Sequence, residues 1–309
     1  MKARAVVFAY HNVGVRCLNV LLARGVDVAL LVTHEDNPRE EIWFDSVART
    51  AADHDIPTIS PEDPNRQDVV ARVAACRPDF LFSFYYRLML KGPLLSLPSR
   101  GALNMHGSLL PKYRGRAPVN WAIIHGETET GATLHYMTEK PDNGDIVAQT
   151  GVPILPDDTA KEVFDKVTLA AELTLHGALP ALITGTAPRR PQDLHMGGYF
   201  GGRRAEDGVI DWSRSATEIH NLVRAVAPPY PGARTTLNGR PAGILRTRVL
   251  DATAAASKAP SLSIERGRIV ASCGGGGKLL ILALEVDGTL VDADELSGSG
   301  AALHLPLSA

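Results

Sequence analysis

RAVVFAYHNVGVRCLNVLLARGVDVALLVTH, residues 4–34, decides the fold. Its first part, RAVVFAY, is a near-continuous apolar run of the kind that fills a strand buried on both faces. VRCLNVLLARG follows, with Val15, Leu18 and Leu22 at helical spacing and Gly25 as a stop. VDVALLVTH, residues 26–34, is a second apolar run. Strand, helix and strand within about thirty residues make a βαβ crossover, whose strands are parallel. The intervening HNVG lacks G-x-G-x-x-G spacing, so no dinucleotide is expected after the first strand.

The rhythm continues outward. WFDSVARTAADHD (43–55) reads as a helix, IPTIS (56–60) as a short strand and QDVVARVAACR (67–77) as a helix. DFLFSFYY (79–86) and GALNMH (101–106) are further strands. ATLHYMT and DIVAQTGVPIL flank KPDNG, a turn signature, and predict an antiparallel hairpin. A long helix spans 157–185, opened by Asp157 and Asp158. TAPRRPQDLHMGGYFGGRR, rich in Pro, Gly and Arg, reads as a linker. After it come one helix, SATEIHNLVRAVAP, and short β-like runs: RTTLNGRPAGILRTRVL, LSIERGRIVASC and KLLILALEVDG. The expected fold class is therefore α/β, a mostly parallel Rossmann-like sheet with a smaller C-terminal OB-like β-barrel domain. The expected boundaries are 1–190 for the catalytic domain, 191–204 for the linker and 205–309 for the second domain.

Composition narrows the function. The 309 residues carry 32 Lys+Arg against 34 Asp+Glu, a net charge of −2, so no basic excess points to nucleic acid. Three scattered cysteines form neither a CxxC pair nor a Cys/His cluster, so neither a disulfide framework nor a metal site is expected. The N-terminal apolar run is too short for a signal peptide. No stretch is read as a membrane span of roughly 20 apolar residues. A reducing cytoplasmic setting is the simplest expectation.

In open α/β sheets, ligands bind at the carboxyl ends of the strands. Asn104 and His106 stand there on GALNMH, and alternation puts both on one face. An amide N–H suits an oxygen gaining charge, and an imidazole moves protons near neutral pH. A buried, hydrogen-bonded structural pair is the other reading. Lys112, Arg114 and Arg116 follow on the loop LLPKYRGRAP, either as anion contacts or as a solvated surface. Asp142, in KPDNGD, is either plain turn chemistry or a carboxylate that favours the protonated imidazole.

GALNMHGSLLPKYRGRAPVNWAIIHGETETGATLHYM…KPDNGDIVAQ closely resembles the 10-formyltetrahydrofolate-dependent formyltransferases. Their motif is Asn-x-His on a strand, then SLLP, then a later Asp in a D-x-G turn. The resemblance implies that Asn104 and His106 stabilise and protonate a tetrahedral intermediate, with Asp142 raising the pKa of His106. It implies 10-formyltetrahydrofolate as formyl donor and no metal. It also implies a folate site at Leu88, Met89, Leu90 and Arg116, closed by Thr138, Glu139, Lys140, Pro141 and Asp142. Here LML departs from relatives in which a histidine begins that triplet, and Pro141 removes a backbone donor.

VVFAYHNVG, VTHEDNP, FSFYYR, NMHGSLLPKYRGRAPVNW and AVAPPYPGA most resemble the members that formylate the 4-amino group of UDP-4-amino-4-deoxy-L-arabinose. That resemblance implies a role in lipid A modification of lipopolysaccharide and in polymyxin resistance. It also implies a stand-alone formyltransferase, without the decarboxylase domain of the two-function version. A UDP-amino sugar would then be met by Tyr10, Lys112 and Arg114, with Arg203 or Arg204 as further diphosphate contacts. The alternatives are methionyl-tRNA formylation, another nucleotide-linked amino sugar, and a catalytically silent binding protein. Glu35, Asp36, Glu40, Glu41 and Asp45, where the tRNA-modifying members carry a basic loop, would repel a phosphate backbone.

Overall fold

The computed structural model describes residues 2–38, 41–297 and 303–304. The chain begins β1 (Arg4–Ala9), α1 (His11–Ala23), β2 (Asp27–Val32), α2 (Val47–Ala52), β3 (Thr58–Ile59), α3 (Gln67–Ala75) and β4 (Phe80–Phe84). It continues α4 (Gly92–Leu95), β5 (Gly101–His106), β6 (Arg114–Gly115), α5 (Pro118–Ile124), β7 (Glu129–Tyr136), β8 (Ile146–Pro153), α6 (Ala160–Thr184) and β9 (Tyr199–Phe200). Then come α7 (Ala216–Val226), β10 (Ala233–Leu237), β11 (Arg240–Asp251), β12 (Ser261–Glu265), β13 (Arg268–Ser272), β14 (Lys278–Val286), β15 (Thr289–Val291), α8 (Ala293–Ser297) and β16 (Leu303–His304). Contacts divide them into two units: Met1–Pro118, Glu129–Pro153 and Asp165–Gly201 form one, and Val119–Thr128, Ile154–Phe164 and Gly202–Ala309 the other.

The first unit holds a seven-stranded sheet in the order β3-β2-β1-β4-β5-β7-β8. Pairings from β3 through to β5 are parallel, and β7 and β8 are antiparallel. Ala5 to Ala9 are wholly buried, as a central parallel strand requires. Alternate residues serve opposite faces: Val6 and Phe8 join Leu30, Val32, Leu81, Val73, Leu90 and Leu94 in one cluster. Helix α1 ends as its sequence dictates. Gly25 takes φ +73°, and the Val26 N–H reaches back to the Leu21 carbonyl at 3.0 Å. The sheet order turns around between β1 and β4, the switch point beside which such folds bind ligands.

Helix α6 departs from the sequence expectation: its 25 residues, with a mean hydropathy of 1.3 over the most apolar 18, are long and apolar enough to cross a membrane by length and composition. The sequence had offered no such stretch because scattered Glu, Lys and Asp residues interrupt its first turns. Val163, Val167, Ala170, Ala171, Leu175, Ala178, Leu179 and Leu182 are buried at helical spacing, the pattern of a helix with one face in a protein core.

The second unit is a mainly antiparallel sheet in the order β10-β11-β14-β13-β12-β16, with β15 on β14. Among the described residues no pairing joins β10 to β16, so its ladder is an open path. Helix α7 packs on β11 and starts at a capping box, Ser215 with Glu218. This unit has its own core around Ile210, Trp212, Ile219, Val223, Ile244, Ala271 and Leu279. Trp212 is wholly buried and satisfies its one donor by giving its Nε1 hydrogen to Thr235 Oγ1 at 2.8 Å.

Candidate active site

Strand β5 ends at His106, and its Asn104 lies directly across from His135 of β7. His106 pairs in the same ladder with Thr133. Alternation therefore gathers Asn104, His106 and His135 on one face. Opposite Leu134 and His135 the β7–β8 register slips, a bulge of the kind that re-aims side chains beside sites. Gly107 follows His106 for a steric reason: a Cβ there would run into the Tyr85 hydroxyl.

His106 is buried, and its Nε2 lies 2.8 Å from the Tyr113 carbonyl. A carbonyl only accepts, so the hydrogen is on Nε2. The other ring nitrogen, Nδ1, lies 3.5 Å from Asp142 Oδ1. His135 Nδ1 donates to its neighbour's carbonyl, Tyr136 O, at 2.8 Å. Its Nε2 is then an acceptor for Asn104 Nδ2 at 3.2 Å, and also lies 3.5 Å from Asp142 Oδ1. Asn104, His106, His135 and Asp142 therefore form one connected group.

Asp142 is the hub. Burial by itself would push its carboxyl up, but the charge of a protonated His106 and the Gly115 N–H carry it well below the usual carboxylate range. The Gly115 N–H reaches Asp142 Oδ2 at 2.8 Å. Asp142 itself is left-handed, φ +54°, and so are Tyr85, Tyr113 and Ala117 around it. Such residues cost roughly 1–3 kcal/mol each and gather where geometry is dictated by a site.

The group opens into a cleft of about 370 Å³, within the range of small-molecule sites. Leu88, Met89 and Leu90 form one wall, with Leu88 40% and Met89 51% exposed. Leu90 packs its side chain into the core, so its share of the wall falls to the backbone. Asn65 fixes this wall: its Nδ2 donates to Met89 O at 2.9 Å and its Oδ1 accepts the Lys91 N–H at 2.8 Å. Arg116, Thr138 and Pro141 also line the cleft, with Tyr85, Tyr86, Arg87, Met137 and Tyr199, which the sequence had not singled out.

Other candidates lie elsewhere. Glu139 and Lys140 are exposed and do not line the cleft. Tyr10 is buried, gives its hydroxyl hydrogen to Asp36 at 2.7 Å, and contacts the rings of His34 and Phe44. Lys112 is exposed outside the cleft. Arg114 is spent on structure: it donates to Asn143 Oδ1 and to the carbonyls of Leu194 and Gly197 at 3.0–3.2 Å. Arg203 and Arg204 belong to the second unit. Among the described residues no cluster of three His, Cys, Asp or Glu is arranged to hold a metal ion. His135 was the main omission. Sequence alone marks ATLHYMT only as a hairpin strand, and it is the strand register that brings His135 onto Asn104.

A family model described as formyl transferase matches residues 5–179, and one for the formyl transferase C-terminal domain matches 203–297. The N-formyltransferase from Helicobacter canadensis, in complex with folinic acid and dTDP-3-aminofucose, superimposes with a TM-score of 0.71. It is 20% identical over 91% of this chain and 99% of that one. WlaRD, a sugar 3N-formyl transferase in the presence of dTDP and 5-N-formyl-THF, gives 0.71 at 18% identity over 94% and 100%. HypX from Aquifex aeolicus, in complex with tetrahydrofolic acid, gives 0.63 at 17% identity, covering 97% of this chain and 47% of that one.

Proposed function

This chain belongs to the formyltransferase family, and on that premise we propose that it moves a formyl group from 10-formyltetrahydrofolate to the amine of a nucleotide-linked amino sugar. The single observation that carries this reading is the convergence of Asn104, His106 and Asp142 on one cleft. The cleft suits the donor: its lining combines apolar Leu88 and Met89 with polar Asn104 and Asp142, the mixture that a flat ring with polar edges requires. The donor supplies an amide-like formyl carbon, reluctant to leave N10 until protonated.

The residues divide the work. An unprotonated amine forms its bond to the formyl carbon, whose oxygen gains negative charge. Asn104 gives one amide hydrogen to His135 and has a second for that oxygen. A preorganised donor of this kind is worth about 3–4 kcal/mol. His106 has Nε2 committed to Tyr113, so Nδ1 is the ring atom that carries protons from the incoming nitrogen to N10 as the old C–N bond breaks. Ionised Asp142 favours the imidazolium between those transfers.

Within this class we assign the acceptor as UDP-4-amino-4-deoxy-L-arabinose, formylated in the cytoplasm for lipid A modification; the support is the sequence resemblance. The full-length likeness to proteins studied with dTDP and dTDP-3-aminofucose supports a second acceptor, a dTDP-linked amino sugar. The test is a panel assay with the donor and UDP-aminoarabinose, dTDP-amino sugars or methionyl-tRNA, scored by mass gain of the product. Formylated UDP-aminoarabinose is the expected product. Transfer only to a dTDP sugar moves the assignment to that sugar, and transfer only to methionyl-tRNA overturns the class.

A further inference from the structure

The stretch read as a linker is a strap, hydrogen-bonded to β8 near its start and to the loop after β5 further on. Residue 190 exchanges both backbone hydrogen bonds with Ile146 at 2.8–3.0 Å. Arg114 N donates to Gly198 O at 3.0 Å and Arg116 N to Phe200 O at 2.9 Å. Gly115 N, between them, takes no part in this pairing and instead meets Asp142 Oδ2 at 2.8 Å. The strap thus aims the donor that grips the Asp142 carboxylate. Gln192, on the same strap, grips the backbone of that turn. Its Nε2 donates to Asp142 O at 2.9 Å and to Gly144 O at 2.7 Å. Two carbonyls can be served only by the NH2 end of the amide, which fixes its orientation. Gln192 Oε1 is left buried without a hydrogen-bond partner, an arrangement that a brace selected only for stability would avoid.

We infer that Gln192 is a positioning residue that acts on His106 through Asp142: it locks the left-handed Asp142 residue so that its carboxylate faces the imidazole. This rests on the formyl-transfer reading. A plain structural brace would lower stability and leave the chemistry of the pair alone, so the test is a double-mutant cycle on the full chain. Gln192→Ala and the near-isosteric Gln192→Met each lower kcat at saturating donor and acceptor by tenfold or more, with acceptor KM within threefold. In an Asp142→Asn background the same changes cost less than twofold, because the group they position is gone. A second readout needs no turnover. In the folate-free protein at one neutral pH, the imidazole 15N chemical shifts of His106 in Gln192→Met move most of the way toward those of Asp142→Asn. Additive losses in the cycle, or His106 chemical shifts that match wild type, would overturn the inference. Wild-type protein that forms no formyl product sinks the functional reading instead. Active wild type with fully active Gln192 variants sinks only this one. If Gln192→Ala does not fold, the Gln192→Met cycle decides.

Discussion

Asn104 has two amide hydrogens, and His135 takes one of them. That division makes two residues separable by measurement. Asn104→Ala removes the donor proposed for the developing oxyanion and should lower kcat about 100- to 1000-fold. His135→Phe leaves Asn104 present but unheld. One net hydrogen bond is worth about 1 kcal/mol, so the expected loss is about five- to tenfold in kcat. Steady-state kinetics on both variants check the order, and a His135 loss exceeding that of Asn104 would give the catalytic role to the wrong residue. The same pair marks what a sequence can tell. Asn104 and His106 stood out because their spacing and their SLLP neighbour carry a family motif. His135 carries no motif, since its role depends on which strand pairs beside β5. Arg114 marks the opposite limit: a basic residue on a loop reads as a candidate ligand contact, and only the structure shows its guanidinium donating to three protein acceptors.

The strands of the parallel sheet were legible because each is a continuous apolar run, and the β7–β8 hairpin because Asp-Asn-Gly has few other uses. The strap was not. Strands β6 and β9 are two residues each, too short for any periodicity, and Pro, Gly and Arg composition speaks only of turns. The segment after β2 is held by rings that sequence patterning also missed. His34 stacks on Tyr86 at 4.1 Å and meets Tyr10 edge-on at 5.3 Å, while its Nε2 accepts the Arg87 N–H at 3.0 Å. Burial first, and then Arg87, push the His34 pKa from 6.5 down to about 4. A depressed imidazole binds fewer protons folded than unfolded, so its neutral form stabilises fully above about pH 6.5. That contribution fades as pH falls toward about 4, because a protonated Nε2 cannot accept from Arg87. His34→Gln keeps an acceptor that does not titrate. Its Tm should therefore fall less than the wild-type Tm between neutral pH and the lower end of that window. Parallel Tm curves for the two proteins would refute the assignment.

At the scale of the whole molecule, each unit carries its own buried cluster, and the two family models meet the chain in the same order. The alternating β-like runs told the second unit's class, because one-face burial leaves a period of two in a strand such as Ala233–Leu237. The pieces that Val119–Thr128 and Ile154–Phe164 contribute to that unit were not legible, since contacts across a hundred residues leave no local pattern. Charge is a property of the whole chain, and here 32 cationic residues nearly cancel 34 anionic ones. A protein that neutralised 6–10 phosphates of a nucleic acid would lose about 10³–10⁵ in affinity between roughly 50 and 200 mM salt. A sugar nucleotide presents one diphosphate, so only one or two such contacts are at stake. The KM for a UDP- or dTDP-linked amino sugar should therefore rise less than about tenfold across that salt range. Initial rates at several salt concentrations give the slope directly. A slope as steep as that of a polyanion binder would move the tRNA acceptor ahead of the amino sugars, because a balanced surface can produce it only by gathering its cations along a phosphate backbone.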